Sequence, residues 1–431
     1  MQPKTAIIIA AGNRGTIYAR YDLEYPNEMK IVGVAEPIPE RRNYIRDTFN
    51  LSEDQCFSSW EEILEQGKLA DIAIISTMDQ DHYLPTLKAL ELGYHVLLEK
   101  PMSPNPREVI EMDLAAKKYN RKLSICHVLR YTDFWSSIRE IIQSGKIGDV
   151  VSVQLNENVE IMHYAHSFVR GNWRKKADSS PMILQKSCHD MDILNFIMDK
   201  KCVRVSSFGS LSYFKEENAP EGAPHRCLDG CPVANECPFH AGRYYLDKAN
   251  SFRAGMITED KSREGIVKAL RETDFGKCVF RSNNDVVDHQ VVNLEFEDGS
   301  TATFSMCGFT RDETRTVQIM GTKGEIRGSM VENKFSYYDF LTKRETVIHL
   351  PQVSSGHGGG DFGIVRSFLR DIDAGDDVEN ISSSSVSVWS HLMAFAAEES
   401  RLNKGEPVDI EQFYQEITDS IENQLLTTSQ Q

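Results

Sequence analysis

Two stretches of this 431-residue chain carry residue types at spacings suited to chemistry. The first is Ala10-Ala11-Gly12-Asn13-Arg14-Gly15, which stands where a G-x-G-x-x-G turn would join a first strand to a first helix. In such a turn the middle glycine lets backbone approach a pyrophosphate, and the last lets the helix pack closely on the strand. Ala10 takes the place of the first glycine. Glu36 ends the second strand pattern, where a carboxylate accepts hydrogen bonds from a ribose diol and repels a 2′-phosphate. NAD is therefore expected over NADP, although Arg41 and Arg42 nearby would suit the extra phosphate. The second stretch is His225-x-Cys227-x3-Cys231-Pro232-x4-Cys237-Pro238-x-His240. Thiolate with imidazole is what tetrahedral zinc takes, so Cys227, Cys231 and Cys237 are candidate ligands of a structural zinc. Clustered cysteines also suit an iron–sulfur centre, or are simply reduced thiols.

Positioning such a turn requires a particular framework, and the sequence pattern supplies one. Residues 4–10, 30–35, 71–76, 95–98 and 123–128 are apolar runs of strand length without alternation, separated by helix patterns. That order implies a parallel sheet covered on both faces, a doubly wound α/β domain over residues 1–128. Asn105-Pro106-x-Glu108 has the cap, first-turn proline and acidic residue of a helix start. Beyond residue 129 the rhythm changes. Residues 134–144 read as a helix and 150–159 as a half-exposed strand. Residues 287–296 and 301–307 form a hairpin around Glu297-Asp298-Gly299. Further strand patterns at 316–320 and 345–350, a glycine-rich turn at 354–360, and helices at 362–373 and 388–402 complete the chain. This is an α+β domain, residues 129–431, on an open and mostly antiparallel sheet. Residues 213–285, rich in Gly, Pro, Cys and charge, read as an insertion.

Glu99-Lys100-Pro101 follows the fifth strand pattern directly. With Ser76-Thr77 ending the strand before it and Asp81-His82 just beyond, the chain resembles the Gfo/Idh/MocA oxidoreductases, NAD(P)-dependent relatives of glucose–fructose oxidoreductase and inositol dehydrogenase. The resemblance extends through residues 125–131, 186–192 and 394–400. It implies a Rossmann domain followed by an α/β domain whose open sheet joins copies into a homo-oligomer, with the active site between the domains. It places Lys100 beside the nicotinamide, where an ammonium lowers the pKa of a substrate hydroxyl and stabilises the alkoxide. The family's Asp four residues before the catalytic His is here Gln185, whereas His189 and Asp192 match. An imidazole titrates near neutral pH, which suits His189 to the role of general base. Gln185 hydrogen-bonds without charge, and Lys186 adds a second cation. Cofactor contacts are expected from Ala11, Gly12, Asn13, Arg14, Gly15, Glu36, Ser76, Thr77, His82, Glu99, Lys100 and His127. Substrate contacts are expected from Arg130, Trp173, Arg174, Gln185, Lys186 and Asp192, with Trp173 placed to stack on a sugar ring.

The net charge of −16 argues against nucleic acid or an anionic membrane as partner. Its surplus concentrates after residue 345, away from Lys100, Arg130, Arg170 and Lys186. Nine cysteines, an odd number with no export signal, fit a reducing cytosol. The expected activity is NAD-dependent oxidation of a secondary hydroxyl on a sugar, cyclitol or sugar derivative. Two alternatives follow from the same resemblance: a glycoside hydrolase that recycles NAD in place, and a non-catalytic sugar- or nucleotide-sensing regulator.

Overall fold

The computed structural model of the protein describes residues 2–351, 356–375 and 381–428. Strands β1 (Lys4–Ile9), β2 (Met29–Ala35), β3 (Cys56–Phe57), β4 (Ile72–Ile75), β5 (His95–Leu98) and β6 (Leu123–Ile125) form a six-stranded sheet of order β3-β2-β1-β4-β5-β6. All its pairings are parallel. Their apolar runs do not alternate because helices cover both faces. The strand order reverses between β1 and β4, and ligands of open α/β sheets bind at that edge. Helix α1 (Asn13–Ala19) leaves the turn after β1. Helix α2 (Pro106–Lys118) starts with the Asn105 side chain capping Arg107 N.

The chain then runs through α3 (Asp133–Gln143) into a nine-stranded sheet. It contains β7 (Val150–Glu160), β8 (Cys202–Ser210), β9 (His289–Phe296), β10 (Thr301–Thr310), β11 (Thr314–Gly321), β12 (Gly324–Ser329), β13 (Lys334–Asp339), β14 (Arg344–His349) and β15 (Val408–Asp409). The order is β14-β13-β12-β11-β7-β10-β9-β8-β15, antiparallel throughout except between β7 and β10. Helix α4 (Cys188–Met198) lies between β7 and β8 in the chain. After β14 come α5 (Gly360–Ala374), α6 (Ser384–Leu402) and α7 (Ile410–Thr428).

Two late elements return to the first sheet. Helix α5 buries Ile364, Val365, Phe368 and Leu369 among Ile8, Ile74 and Leu97. Before α6, Ser382 O accepts from Ile125 N at 3.0 Å, extending the free edge of β6. One continuous apolar core joins Ile7 and Leu98 of the first sheet to Trp135, Phe304 and Leu392. The two sheets therefore share a core, which fixes the groups between them.

Residues of the 213–285 segment build a small core of their own from Cys227, Tyr245, Ala254 and Leu270. The expected zinc is corrected at this point. Cys227, Cys231 and Cys237 are free thiols that line a small cavity with Cys278 and His240. Among the described residues, however, no three His, Cys, Asp or Glu side chains come together as a group able to hold a metal ion. The buried Arg170 occupies the neighbourhood instead. Its Nη2 lies 3.5 Å from Cys227 Sγ and 2.7 Å from Phe239 O, and its Nε is 2.7 Å from Lys277 O. No helix among the described residues is long and apolar enough to cross a membrane.

Candidate active site

The turn after β1 has the geometry that the glycine motif demands, despite Ala10. Ala10 takes a positive φ of 69°, a left-handed conformation that costs a non-glycine residue about 1–2 kcal/mol. Gly15 is required for packing, since a Cβ there would sit 2.1 Å from Ala10 O. Gly12 precedes α1 with no side-chain cap, so the first amides of the helix keep their capacity to bind an anion. A Cβ on Gly12 would meet only Arg41, at 3.9 Å, which leaves the backbone open to close approach. Glu36 is buried at the end of β2 and accepts from Ala11 N at 2.7 Å and Ile38 N at 2.9 Å. It braces the turn, and a carboxylate with several acceptor sites still has capacity for a ribose diol. These residues fit a dinucleotide.

The ends of β1, β4 and β5 emerge side by side: Ser76 N donates to Ile9 O and Glu99 N to Ile75 O, both at 2.9 Å. Here the expected cofactor residues separate into two groups. The Ala11–Gly15 backbone, Ser76 and Lys100 lie along this edge. The side chains of Arg14, Glu99, Thr77 and His82 are occupied in holding it together. Arg14 pairs with Glu99 and with Asp361 of α5, each at 2.6 Å. Glu99 also accepts from Tyr18 Oη and Lys100 N, each at 2.7 Å. Burial alone would raise the Glu99 pKa, but Arg14 and Lys100 beside it hold it below the ordinary value. Thr77 Oγ1 donates to Asp81 O at 3.0 Å. His82 sets its ring nitrogens 2.7 Å from Pro101 O and 3.1 Å from Thr77 O, stapling two strand-end loops. The Lys100–Pro101 peptide is cis.

Lys100 Nζ donates to Gln185 O at 2.8 Å, so the second domain fixes the first domain's lysine through a main-chain carbonyl. His127 and His189 lie together, their ring centroids 6.1 Å apart, and both feel the Lys100 charge. Both are buried, with neither nitrogen of His127 and not Nδ1 of His189 hydrogen-bonded within the protein. Burial, then nearby cations including Lys100, pushes both pKa values well below the ordinary histidine value. Two neutral imidazoles and an ammonium thus act at one place, with His127 Nε2 facing Asp192 at 3.6 Å and Nδ1 of His189 without a partner and able to accept a proton.

Several expected substrate contacts are engaged elsewhere. Arg130 grips Asp192 through two hydrogen bonds of 2.6 Å, and both side chains are buried, so each neutralises the other. Gln185 accepts from Ser179 Oγ and donates to Trp173 O, each at 3.0 Å, which turns its amide away from Lys100. Lys186 bonds Glu313 at 3.1 Å and faces Glu157 at 3.3 Å, while Arg315 bridges Glu157 and Asp190 at 2.6 and 2.7 Å. This buried network on β7, β11 and α4 consumes the second cation. Arg174 pairs with Asp274 at 2.6 Å. Trp173 remains 37% exposed, consistent with a ring available for stacking.

Three residues absent from the expected set complete the site. His357 lies in the turn before α5 and Asp361 in its first turn, with Nδ1 of the imidazole 3.1 Å from the carboxylate. His391 of α6 accepts from Met102 N at 2.9 Å and pins the turn that carries Lys100. The run His357-Gly-Gly-Gly-Asp361 was the available signal. Such glycines mark close backbone approach, and a Cβ on Gly360 would lie 2.1 Å from Val128 O.

A cavity of about 540 Å³ opens on the other side of Arg130, lined also by Arg139, Lys200, Lys201 and Trp389. Its cations are paired with Asp192, Asp199, Asp298 and Glu411.

Comparison with known proteins agrees with this geometry. Residues 4–127 match the model described as "Oxidoreductase family, NAD-binding Rossmann fold", and residues 139–379 match its C-terminal alpha/beta domain. The putative oxidoreductase YteT of Bacillus subtilis is 25% identical over 370 residues, covering 82% of this chain and 84% of that protein. The NADP(+)-dependent scyllo-inositol 2-dehydrogenase IolW, also of Bacillus subtilis, is 28% identical over 116 residues, 27% of this chain and 31% of that protein. Among solved structures, levoglucosan dehydrogenase in complex with NADH and levoglucosan superposes with a TM-score of 0.70 at 16% identity, over 95% of this chain and 100% of that one. An Agrobacterium radiobacter oxidoreductase in complex with NAD+, L-tartaric acid and magnesium also gives 0.70, at 14% identity, over 96% and 100%. With both domain models matched in order along one chain, this protein belongs to the Gfo/Idh/MocA oxidoreductases, a family of NAD(P)-dependent enzymes of the sugar and cyclitol dehydrogenase type.

Proposed function

We propose that this enzyme oxidises a secondary hydroxyl of a sugar, cyclitol or sugar derivative, with NAD as acceptor. The observation that carries this reading is the convergence of Lys100 with two buried imidazoles, His127 and His189, at the carboxyl edge of β5 and β6. NAD, when bound, supplies the carbon that receives the hydride; the amides of Ala11–Gly15 would hold its pyrophosphate and Glu36 its ribose. The chain's own groups manage the proton. Lys100 stabilises negative charge developing on the substrate oxygen, and His189 accepts the hydroxyl proton. Trp173 gives an apolar ring face to the sugar. Glu36 supports NAD as the natural cofactor, because it would repel a 2′-phosphate. We also infer that the open face of the nine-stranded sheet, including Gln154, Asn156 and Val347, joins copies of this chain, as the family resemblance implies.

Mixing the protein with NAD and a panel of polyols, sugars and sugar acids should generate NADH absorbance. Absence of NADH with every member of the panel would count against a net dehydrogenase.

A further inference from the structure

His189 must dispose of the proton it takes, and its surroundings give it no direct exit. It is 7% exposed, and Lys100, Arg315, His127 and His357 all face it. Cations on several sides make a protonated His189 costly. His357 lies on one of those sides, its ring centroid 5.9 Å from that of His189, which brings the two ring edges close to contact. Unlike His189, its side chain is 38% exposed.

The way His357 is held sets it apart from an ordinary surface histidine. Its backbone is left-handed, φ 49° and ψ 34°, between Gly356 and Gly358. That conformation costs a histidine about 1–2 kcal/mol, which the surrounding contacts must offset. Asp361, whose side chain is 3% exposed, sits 3.1 Å from Nδ1 and is itself anchored by Arg14 at 2.6 Å. Arg14 Nη1 lies 3.4 Å from the same Nδ1. A carboxylate on one ring nitrogen fixes the tautomer and stabilises the imidazolium. The charged groups facing His357 are therefore Asp361 and Arg14 on one side and His189 on the other, with Glu99 behind Arg14.

We propose that His357 is the second station of a proton relay, receiving the substrate's proton from His189 and passing it to solvent while Asp361 holds its ring. This rests on the dehydrogenase reading and adds the exit path. The substrate O–H bond breaks and its proton goes to His189; the C–H bond breaks and its electron pair leaves as hydride to the nicotinamide acceptor, forming the carbonyl. The proton then moves to His357 and to bulk water, so one proton is released per acceptor reduced. His357 does not touch the reacting atoms and is a positioning and relay residue.

The test compares wild type with His357→Asn, because Asn tolerates the left-handed backbone, and with Asp361→Asn. In ring-¹⁵N spectra of the protein without substrate, His357→Asn should shift the His189 signals; unmoved signals overturn the relay whatever the substrate. With an active polyol, His357→Asn should slow turnover on the order of 10- to 100-fold near neutral pH, in kcat rather than KM. The loss should shrink as pH rises and recover on adding free imidazole, and Asp361→Asn should lie between. An unchanged pH profile in an active enzyme overturns the relay and leaves the dehydrogenase reading standing. Shifted His189 signals in a protein that oxidises nothing support the coupled pair and remove the dehydrogenase.

Discussion

On the proposed reading the chemistry depends most directly on Lys100, and its surroundings say what its loss would do. Its Nζ is fixed by a carbonyl and acts on two neutral imidazoles, so Lys100→Met removes the positive charge at the site and part of what keeps Glu99 ionised. We expect kcat to fall by about 10²–10⁴ with NAD affinity nearly unchanged, read by steady-state kinetics and a cofactor titration. Asp192 behaves oppositely. It is buried against Arg130, so Asp192→Asn leaves an unpaired guanidinium and should cost about 3–5 kcal/mol of stability in a denaturant titration. Ala10 gives the third residue-level test. Ala10→Gly relieves a positive φ and should leave stability unchanged or raise it by up to about 1 kcal/mol. Lys100 and His189 were legible because their neighbours in sequence carry the pattern. That Asp192, Ser179 and Glu313 engage the side chains of Arg130, Gln185 and Lys186 is visible only in the fold.

Among the elements, the parallel strands were the most legible, since a strand buried on both faces can only be an unbroken apolar run. Helix α5 was found as a helix, but not as one that covers the first sheet. Its register depends on glycine: Gly360 and Gly363 allow it to lie against the Val128–Tyr131 segment, where Cβ atoms would come within 2.1 Å of Val128 O and 2.6 Å of Tyr131 Cβ. Gly360→Ala should therefore destabilise the protein by roughly 1–3 kcal/mol, seen as a lowered thermal midpoint. The same change would pull His357 away from His189. The stretch ending at Arg170 is held by side-chain contacts instead, with Arg170 carrying three contacts into the segment that holds the cysteines.

For the whole molecule, the buried histidines set an acid limit. Burial lowers the pKa of His391 to about 3 and those of His127 and His189 well below ordinary. In the unfolded chain the same imidazoles bind a proton near pH 6.5. Below that pH the unfolded state binds more protons, so stability is full above about pH 7 and is lost as pH falls. The slope reaches about 1.4 kcal/mol per pH unit for each histidine. Asp371, raised by burial to about 6, works in the opposite sense, as do the raised Glu157, Asp190 and Asp192, while His95 and His166, lowered to about 4, add to the histidine side. Thermal midpoints measured from pH 7 down to 4 should fall steeply, and a flat profile would contradict the burial of these rings. The sequence by itself determined the two-sheet α/β architecture and the nucleotide turn, and it singled out Lys100 and His189 as candidates. Each of these is written in local periodicity or in a short motif, which survives without knowledge of distant contacts. The tertiary structure alone decided which cations are free and which are neutralised, that among the described residues the cysteines form no group able to hold a metal ion, and that His357 comes beside His189. Those facts depend on groups up to hundreds of residues apart, brought within a few ångströms by a core shared between two sheets.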